Sequence, residues 1–315
     1  MKQLILKRLL LGLFTMWIVS LMIFASTEIL PGDVAESILG KEAPPDVIAA
    51  MRDRLGLDQP AYVRYAGWVS NLAKGDLGTS LGSGRDISLL VGPRLWNTIF
   101  LAGVTALIAV PLSVLLGIVA ATKAGSFTDR SISLGTLLTI SVPEFFLAAL
   151  LVFFFAVKLG WFPAIPNVRP GQSFGTQLYS LFLPILTLTL AIMAHIARMT
   201  RNAILSVLSA SYVEMAILKG VPRYQIIVLH ALPNALSPII NVIALNLAYL
   251  ISGVVIVETV FSYPGVARLM VDAVASRDIP LIQVCGLIFC ATYVLLNLVA
   301  DILSILSNPR LRSPK

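Results

Sequence analysis

Glu144 stands inside an apolar stretch, directly after Pro143. A carboxylate within a bilayer costs at least about 2–3 kcal/mol unless it is paired or hydrated. It therefore faces either a neighbouring helix, to which it hydrogen-bonds, or an aqueous substrate path. Glu258 and Asp301 lie near the ends of apolar stretches and read as structural, and Asn241, Asn246 and Asn297 read as links between helices. The other chemistry-bearing types are few. His195 and His230 stand thirty-five positions apart, in no metal-ligand spacing. Cys285 and Cys290 share one apolar segment on different faces and read as small buried side chains. The sequence contains no G-x-x-x-x-G-K-[ST] phosphate loop, no G-x-S-x-G elbow and no His-Glu constellation of an intramembrane protease. No catalytic, cofactor or metal site is expected in this chain.

One segment is built for contact. From Arg198 to Pro233 the chain lies between two apolar stretches, yet it is too long for a turn and is not a polar linker. Residues 211–219 (Ser-Tyr-Val-Glu-Met-Ala-Ile-Leu-Lys) read as a short helix, with Ser211 as N-cap and Glu214 completing a capping box. Gly220 falls where a left-handed turn would end that helix. Pro222 then opens a second helix, expected to run to about Leu232 before Pro233. Helix, glycine turn and helix form a knob suited to docking, although a purely structural hairpin would show the same pattern.

The elements that position these residues follow from composition. With 57% hydrophobic and 12% charged residues over 315 positions, the chain departs from soluble globular averages of about 45–50% and about 25%. A mean hydropathy of +0.90 leaves an integral membrane protein. Six stretches are long enough to cross a bilayer: Leu9 to Thr27, Leu95 to Thr122, Ser131 to Val157, Leu178 to Ala197, Ala231 to Val257, and Ile279 to Ala300. Each is continuous rather than alternating, which excludes a membrane barrel. The expected fold is all-α and polytopic, with six transmembrane helices. The first stretch follows the basic residues Lys2, Lys7 and Arg8 as a signal peptide would, but it is long and lacks an Ala-x-Ala site, so a retained helix is expected.

Twelve basic residues fall on one side of such a topology and four in the two shorter loops of the other, whose remaining basic residues lie in the long segment 31–94 that the rule largely discounts. Both termini and the 198–233 segment are therefore expected to be cytoplasmic. The net charge of +7 is accounted for by loops facing anionic lipid, with no nucleic acid as partner. The chain divides into an N-terminal tail with the first span (1–30), an external loop (31–94), a five-helix core (95–308) that includes the 198–233 loop, and a tail (309–315). In the external loop, Pro44-Pro45-Asp46 and Pro60 each open a short amphipathic helix, and Tyr65, Trp68 and Leu72 share a face of the second. These helices would lie on the outer membrane surface, or serve as a plug packed on the spans.

At the 198–233 loop the sequence resembles permease subunits of bacterial ABC importers, specifically the dipeptide/oligopeptide/nickel permease family. That superfamily carries E-A-A-x-x-x-G and, nine residues on, I-x-L-P. Glu214, Met215, Ala216 and Gly220 fall in register, and His230-Ala231-Leu232-Pro233 follows at the required distance, with Met215 in place of Ala and His230 in place of Ile. The peptide-permease form, Y-V-x-x-A-x-x-K-G then H-A-L-x-N-A-L, matches Tyr212, Val213, Ala216, Lys219, Gly220, His230, Ala231, Leu232, Asn234, Ala235 and Leu236. Ile217 stands where the family usually has Arg. Further similarity lies in Leu30-Pro31-Gly32-Asp33, residues 55–60, residues 75–80, Glu258-Thr259-Val260-Phe261, Pro264-Gly265, Arg277-Asp278-Ile279-Pro280 and the ending Asn308-Pro309-Arg310-Leu311-Arg312.

The resemblance implies a non-catalytic subunit of a bacterial inner-membrane importer for peptides or a related solute. Its partners would be a second homologous permease in a heterodimer, two ATPase subunits that bind ATP and Mg, and an extracytoplasmic substrate-binding protein. The ATPase-coupling residues would be Tyr212, Glu214, Met215, Ala216, Ile217, Lys219, Gly220, His230, Leu232 and Pro233, forming a coupling helix between spans four and five. Glu144 would line the substrate path. The competing reading, a self-sufficient secondary transporter or channel driven by an ion gradient, predicts internal repeats and paired intramembrane charges, and neither is evident. An intramembrane enzyme would need a nucleophile–base pair, and none stands out.

Overall fold

The computed structural model describes residues 2–29, 35–36, 43–54, 56–169 and 171–307. Residues 30–34, Leu55 and the C-terminal stretch 308–315 lie outside them, and with these the expected Leu30-Pro31-Gly32-Asp33 and Asn308–Arg312 signatures. Among the described residues the structure is helical, with a single isolated β-bridge between Thr79 and Asp86. Five helices are long and apolar enough to cross a membrane: Leu6–Ile29, Ile87–Thr122, Phe182–Leu208, Leu232–Val260 and Ile279–Ile302.

The third span departs from a continuous helix. Phe127–Ser141 and Glu144–Lys158 are bent by 104° at the break, and taken together as one broken span they bring the number of crossings to six. The cause is local. A residue before proline is pushed out of the helical region, and Val142 is extended, with φ −102° and ψ 125°. Pro143 has no N–H to continue the ladder, so it becomes the cap of a fresh helix, Glu144–Leu151. That helix passes into a π-helical stretch, Val152–Lys158.

The second span begins at Ile87, earlier than its apolar run, because Asp86 caps it: the Ser88 N–H donates to Asp86 Oδ1 at 2.8 Å. Asp86 lies outside the span, and these hydrogen bonds hold its carboxyl below the usual range. The two short helices of segment 31–94 appear where their prolines place them, at Pro45–Arg54 and Ala61–Ala73. Two further helices, Phe174–Ser180 and Val266–Ser276, had no sequence expectation.

The chain forms two compact units. One comprises 1–6, 99–263 and 295–315. Its core joins Leu101 and Ala109 of the second span, Ala148 after the break, Leu183, Leu188 and Ile192 of the fourth, and Leu250, Val254 and Val257 of the fifth. The fourth span is its central helix: 56% of its most apolar window is buried, against 33% for the fifth. Gly117 lets the second span approach the fourth, since a Cβ there would stand 2.6 Å from Thr200 Cβ and 2.7 Å from the Ala197 carbonyl.

The other unit comprises 7–98 and 264–294. Ile87, Val91, Val266, Leu269, Leu281 and Val284 are among its buried core. The helix Ala61–Ala73 packs on the first span rather than standing free. Tyr65 and Ser20 share a hydrogen bond of 2.8 Å, Phe24 contacts the rings of Tyr65 and Trp68 at 5.4 and 6.2 Å, and Arg64 pairs with Glu28. Cys285 is buried here and Cys290 half-buried, both as free thiols.

Candidate functional site

The fourth span ends at Leu208, and the short helix Ser211–Leu218 follows. Its cap is Ala210, which has no side-chain acceptor, and Ser211 is already the first helical residue. The expected capping box of Ser211 with Glu214 is therefore not formed. The start is held instead by backbone: the N–H groups of Val213 and Glu214 donate to the Ala210 carbonyl at 2.9 and 3.2 Å.

The end of the helix matches expectation. Gly220 has φ +76°. Its N–H donates to the Ile217 carbonyl at 2.9 Å, and the Val221 N–H to the Ala216 carbonyl at 3.1 Å. Together these two bonds make a Schellman turn, with glycine at its left-handed position.

Beyond Gly220 the structure corrects the sequence. The turn Arg223–Gln225 continues through a π-helical stretch, Ile226–Ala231, straight into the fifth span, Leu232–Val260. Pro233 does not end a helix. It sits in the first turn of the span, where its missing N–H leaves no bond to lose after the wider π turn. The expected separate second helix is thus the root of the fifth span.

The short helix packs against this π-helical root and the end of the fourth span. Val213 and Ile226 are its buried anchors. The surface away from Val213 is apolar and open: Tyr212, Met215 and Leu218 are 48, 55 and 76% exposed, Ile217, one turn after Val213, is 58% exposed at the edge of the packed face, and Tyr224 and Leu229 are exposed nearby in sequence. Glu214, Lys219 and Pro233 are exposed, while Ala216 and Leu232 are half-buried. The side chain of His230 lies outside the described residues. Leu218, Tyr224 and Leu229 were not singled out beforehand; their apolar character within a polar-flanked loop was the available signal.

Below this knob, Asp129 and Arg201 form a two-pronged ion pair. Arg201 Nε donates to Oδ1 at 2.6 Å and a terminal guanidinium nitrogen to Oδ2 at 2.8 Å, and the Gly125 N–H adds a bond of 2.9 Å. Asp129 is buried. The pair ties the start of the third span to the last turns of the fourth. Ser126 caps that start by accepting from the Asp129 N–H, a Ser-x-x-Asp spacing legible in the sequence but not used.

Glu144 is not next to the knob in the chain. It opens the helix after the break and packs on the fifth span. A Cβ on Gly253 would stand 3.0 Å from Glu144 Oε2 and 3.2 Å from Leu188 Cδ2, so it is the bare glycine that admits the carboxylate. Oε2 is buried without a hydrogen-bond partner, and the Tyr249 phenol faces the same carboxylate.

In the second unit, Asp278 joins two of the signature segments. Its buried carboxylate accepts from Ser80 Oγ and from the N–H groups of Leu81 and Gly82, each at 3.1 Å, while also capping the sixth span through the Leu281 N–H. Asp before Ile-Pro is a helix-start pattern that would have pointed to it.

Comparison with known proteins identifies the family. Residues 113–313 match the family model described as binding-protein-dependent transport system inner membrane component, and residues 1–87 match the N-terminal model of such membrane components. A probable peptide ABC transporter permease protein of Sinorhizobium fredii is 37% identical over 308 residues, with 98% of each chain covered. A putative peptide transport system permease protein of Brucella abortus is 38% identical, with 99% of each covered. The glutathione transport system permease protein GsiC of Escherichia coli is 38% identical, with 98% of each covered. Among solved structures, the methionine ABC transporter MetNI in inward-facing conformations shares the fold, with a TM-score of 0.52, 20% identity, and coverage of 70% of this chain and 97% of that one. The chain belongs to the family of binding-protein-dependent transport system inner membrane components and is a multi-pass permease subunit of an ABC importer in the inner membrane.

Proposed function

We propose that this chain forms half of a translocation path for di- or oligopeptides or a related small solute, is not itself catalytic, and is driven through the Ser211–Leu218 helix by separate ATPase subunits. The observation that carries this reading is the exposed apolar surface of Tyr212, Met215 and Leu218, with Ile217 exposed at its edge, on a helix anchored from behind by Val213 and fixed at its end by Gly220. Such a surface seats in a partner's groove through its buried aromatic and aliphatic contacts, and Glu214 adds a charge-assisted acceptor. Ala216 and Gly220 permit close approach, while Lys219, His230, Leu232 and Pro233 belong to the same joint. ATP and Mg belong to the partner ATPases. An ATPase can shift the spans only through differential affinity for their two arrangements, and this helix is where that difference acts.

Peptide as cargo is supported by the peptide and glutathione permeases among the relatives. The charge asymmetry of the loops supports cytoplasmic termini and a cytoplasmic coupling helix. The full assembly has a second, homologous permease as heterodimer partner, two ATPases and an extracytoplasmic binding protein. The chain is organised as 1–30, the external loop 31–94, the core 95–308 and the tail 309–315.

The test is a mild-detergent pull-down of the tagged chain from its native membrane, with mass spectrometry of what comes with it. Recovery of ATPases and a second six-span subunit is expected, with less ATPase retained by Gly220→Val. A homo-oligomer without an ATPase would overturn the reading.

A further inference from the structure

Where the second, third and fourth spans meet on the side of the 198–233 loop, the first compact unit holds a cavity of about 270 Å³ that the coupling joint does not use. Ala120 lines it from the second span, Ser133 and Leu137 from the third, and Ala197, Arg198, Arg201 and Asn202 from the fourth. In each span the cavity lies where the apolar run gives way to charge: Lys123 follows the second run, Arg130 precedes the third, and Arg198 follows the fourth. It therefore sits at the level where lipid headgroups meet acyl chains.

The charges around it do not cancel. Arg201 is taken up by Asp129, which accepts from Nε and one terminal nitrogen, while the other terminal nitrogen lies 3.5 Å from Asn202 Oδ1. That contact uses the Asn202 oxygen and leaves its amide N–H groups to donate elsewhere. Arg198, one turn before them on the same face, is exposed and has neither ion pair nor hydrogen bond among the described residues. Together Arg198 and Asn202 offer N–H donors and one uncompensated positive charge. The complementary group is an oxyanion, and a phosphate takes a guanidinium through two parallel hydrogen bonds.

The deeper wall decides where that phosphate comes from. Toward the bilayer the lining becomes apolar, with Ala120, Ala197 and Leu137. Leu137 is 49% exposed, and Leu134, one turn before it, is 60% exposed. A cationic rim above an apolar flank matches a phospholipid, phosphate above and acyl chain below. A soluble phosphate would use the rim alone, and a protein subunit would have to bring an acid to Arg198. We infer that this cavity binds the headgroup of an anionic phospholipid, with its phosphate on Arg198 and Asn202 and its acyl chain along Leu137 and Leu134. A zwitterionic lipid fits less well, because its own ammonium already offsets the phosphate. The bound lipid braces the joint of three spans beside the Asp129–Arg201 pair, from which the fourth span leads to the Ser211–Leu218 helix. The inference goes beyond the permease reading and needs only that the chain spans the membrane.

The test uses the chain purified with its bound subunits and placed in nanodiscs of phosphatidylcholine. These contain a small fraction of photoactivatable phosphatidylglycerol or photoactivatable phosphatidylcholine, each with a diazirine in the acyl chain near the glycerol. Cross-links to residues 131–138 are mapped by mass spectrometry. Phosphatidylglycerol should label these residues several times more than phosphatidylcholine. Its labelling should fall about fivefold in Arg198→Gln, from the loss of one basic contact at the membrane surface. Arg198→Lys, which keeps the charge without the planar fork, should be intermediate. Asn202→Ala, which leaves every charge in place, should show a smaller loss, and Lys7→Gln, outside the cavity, none. Equal labelling by the two lipids would show no selection for charge, and no labelling by either would show the cavity closed by another subunit. A similar loss in Lys7→Gln would show a diffuse surface effect, and loss of phosphatidylglycerol labelling in millimolar glycerol 3-phosphate would give the rim to a soluble phosphate. Each of these four results overturns the proposal, while the pull-down of ATPases tests the permease reading separately.

Discussion

Substitution of Gly220 isolates the coupling turn from everything around it. The residue sits at φ +76°, and a Cβ built there meets nothing within 4 Å. Within this chain the first added carbon therefore meets no collision, and the penalty on the turn itself is conformational. An ordinary L-residue pays about 1–2 kcal/mol in the left-handed region, and a β-branched one pays on the order of 3 kcal/mol. Relaxing out of that region breaks the bonds from Gly220 N–H to Ile217 and from Val221 N–H to Ala216, of 2.9 and 3.1 Å. A penalty of about 2 kcal/mol lowers the population of the intact turn roughly thirtyfold, since about 1.4 kcal/mol is tenfold. Asn, which visits this region readily, should cost less than Ala. In proteoliposomes holding the full transporter, the ratio of substrate accumulated to ATP hydrolysed should fall in the order Gly220, Asn, Ala, Val. Asn and Val variants equally uncoupled would show that size rather than backbone conformation matters, and a fully coupled Gly220→Val would refute the role of the turn.

Three other substitutions probe the frame. Asp129→Ala leaves Arg201 without its carboxylate partner and should cost about 3 kcal/mol, read as a lower midpoint of thermal unfolding in detergent; the double variant with Arg201→Leu should recover part of it. Asp278→Ala removes the acceptor of Ser80 Oγ and of the Leu81 and Gly82 N–H groups, and leaving such groups unpaired costs about 1–3 kcal/mol. Protease added from outside should then cleave residues 76–86 faster, with Ser80→Ala intermediate. Gly117→Leu forces a side chain into Thr200 and the Ala197 carbonyl and should cost at least about 1–3 kcal/mol, seen as reduced yield of folded protein, while Gly103→Leu, where the added atom meets nothing, should be tolerated.

What was legible in the sequence follows the range of the forces involved. Apolar runs dictate spans because the bilayer demands them, so the span positions were readable except at the end of the fourth, whose helix continues through the polar residues after Ala197 to Leu208 and takes in the start of the expected 198–233 loop; Gly220 was readable because only glycine takes its conformation cheaply. Pro143 announced a break, but its 104° depends on where the following helix finds packing. The cap of Ser211–Leu218 misled because Ser211 and Glu214 satisfy the pattern one residue late, with the Ala210 carbonyl already serving the turn. Pro233 misled because a proline that ends an α-helix can begin one after a π turn. Pairings across the chain, such as Asp129 with Arg201 and Asp278 with Ser80, are fixed by tertiary contact and have no local signal.

The continuity across Pro233 joins the two candidate sites mechanically. Had a helix ended there, force on the Ser211–Leu218 helix would have been absorbed by a loop. Instead the short helix packs on Ile226–Ala231, and that stretch passes without interruption into the span that carries Tyr249 and Gly253. A shift or rotation of the short helix is transmitted along a helical rod that carries Gly253, where even a Cβ would stand 3.0 Å from the Glu144 carboxylate. The fifth span therefore cannot turn past Glu144 without altering that contact. Nucleotide closure in the partner and rearrangement around Glu144 then become two ends of one motion. Insertion of a single residue after Gln225, which rotates the rod by about 100° relative to the short helix, should abolish uptake while leaving ATPase binding in the pull-down. Uptake that survives the insertion would show that the fifth span does not carry the signal.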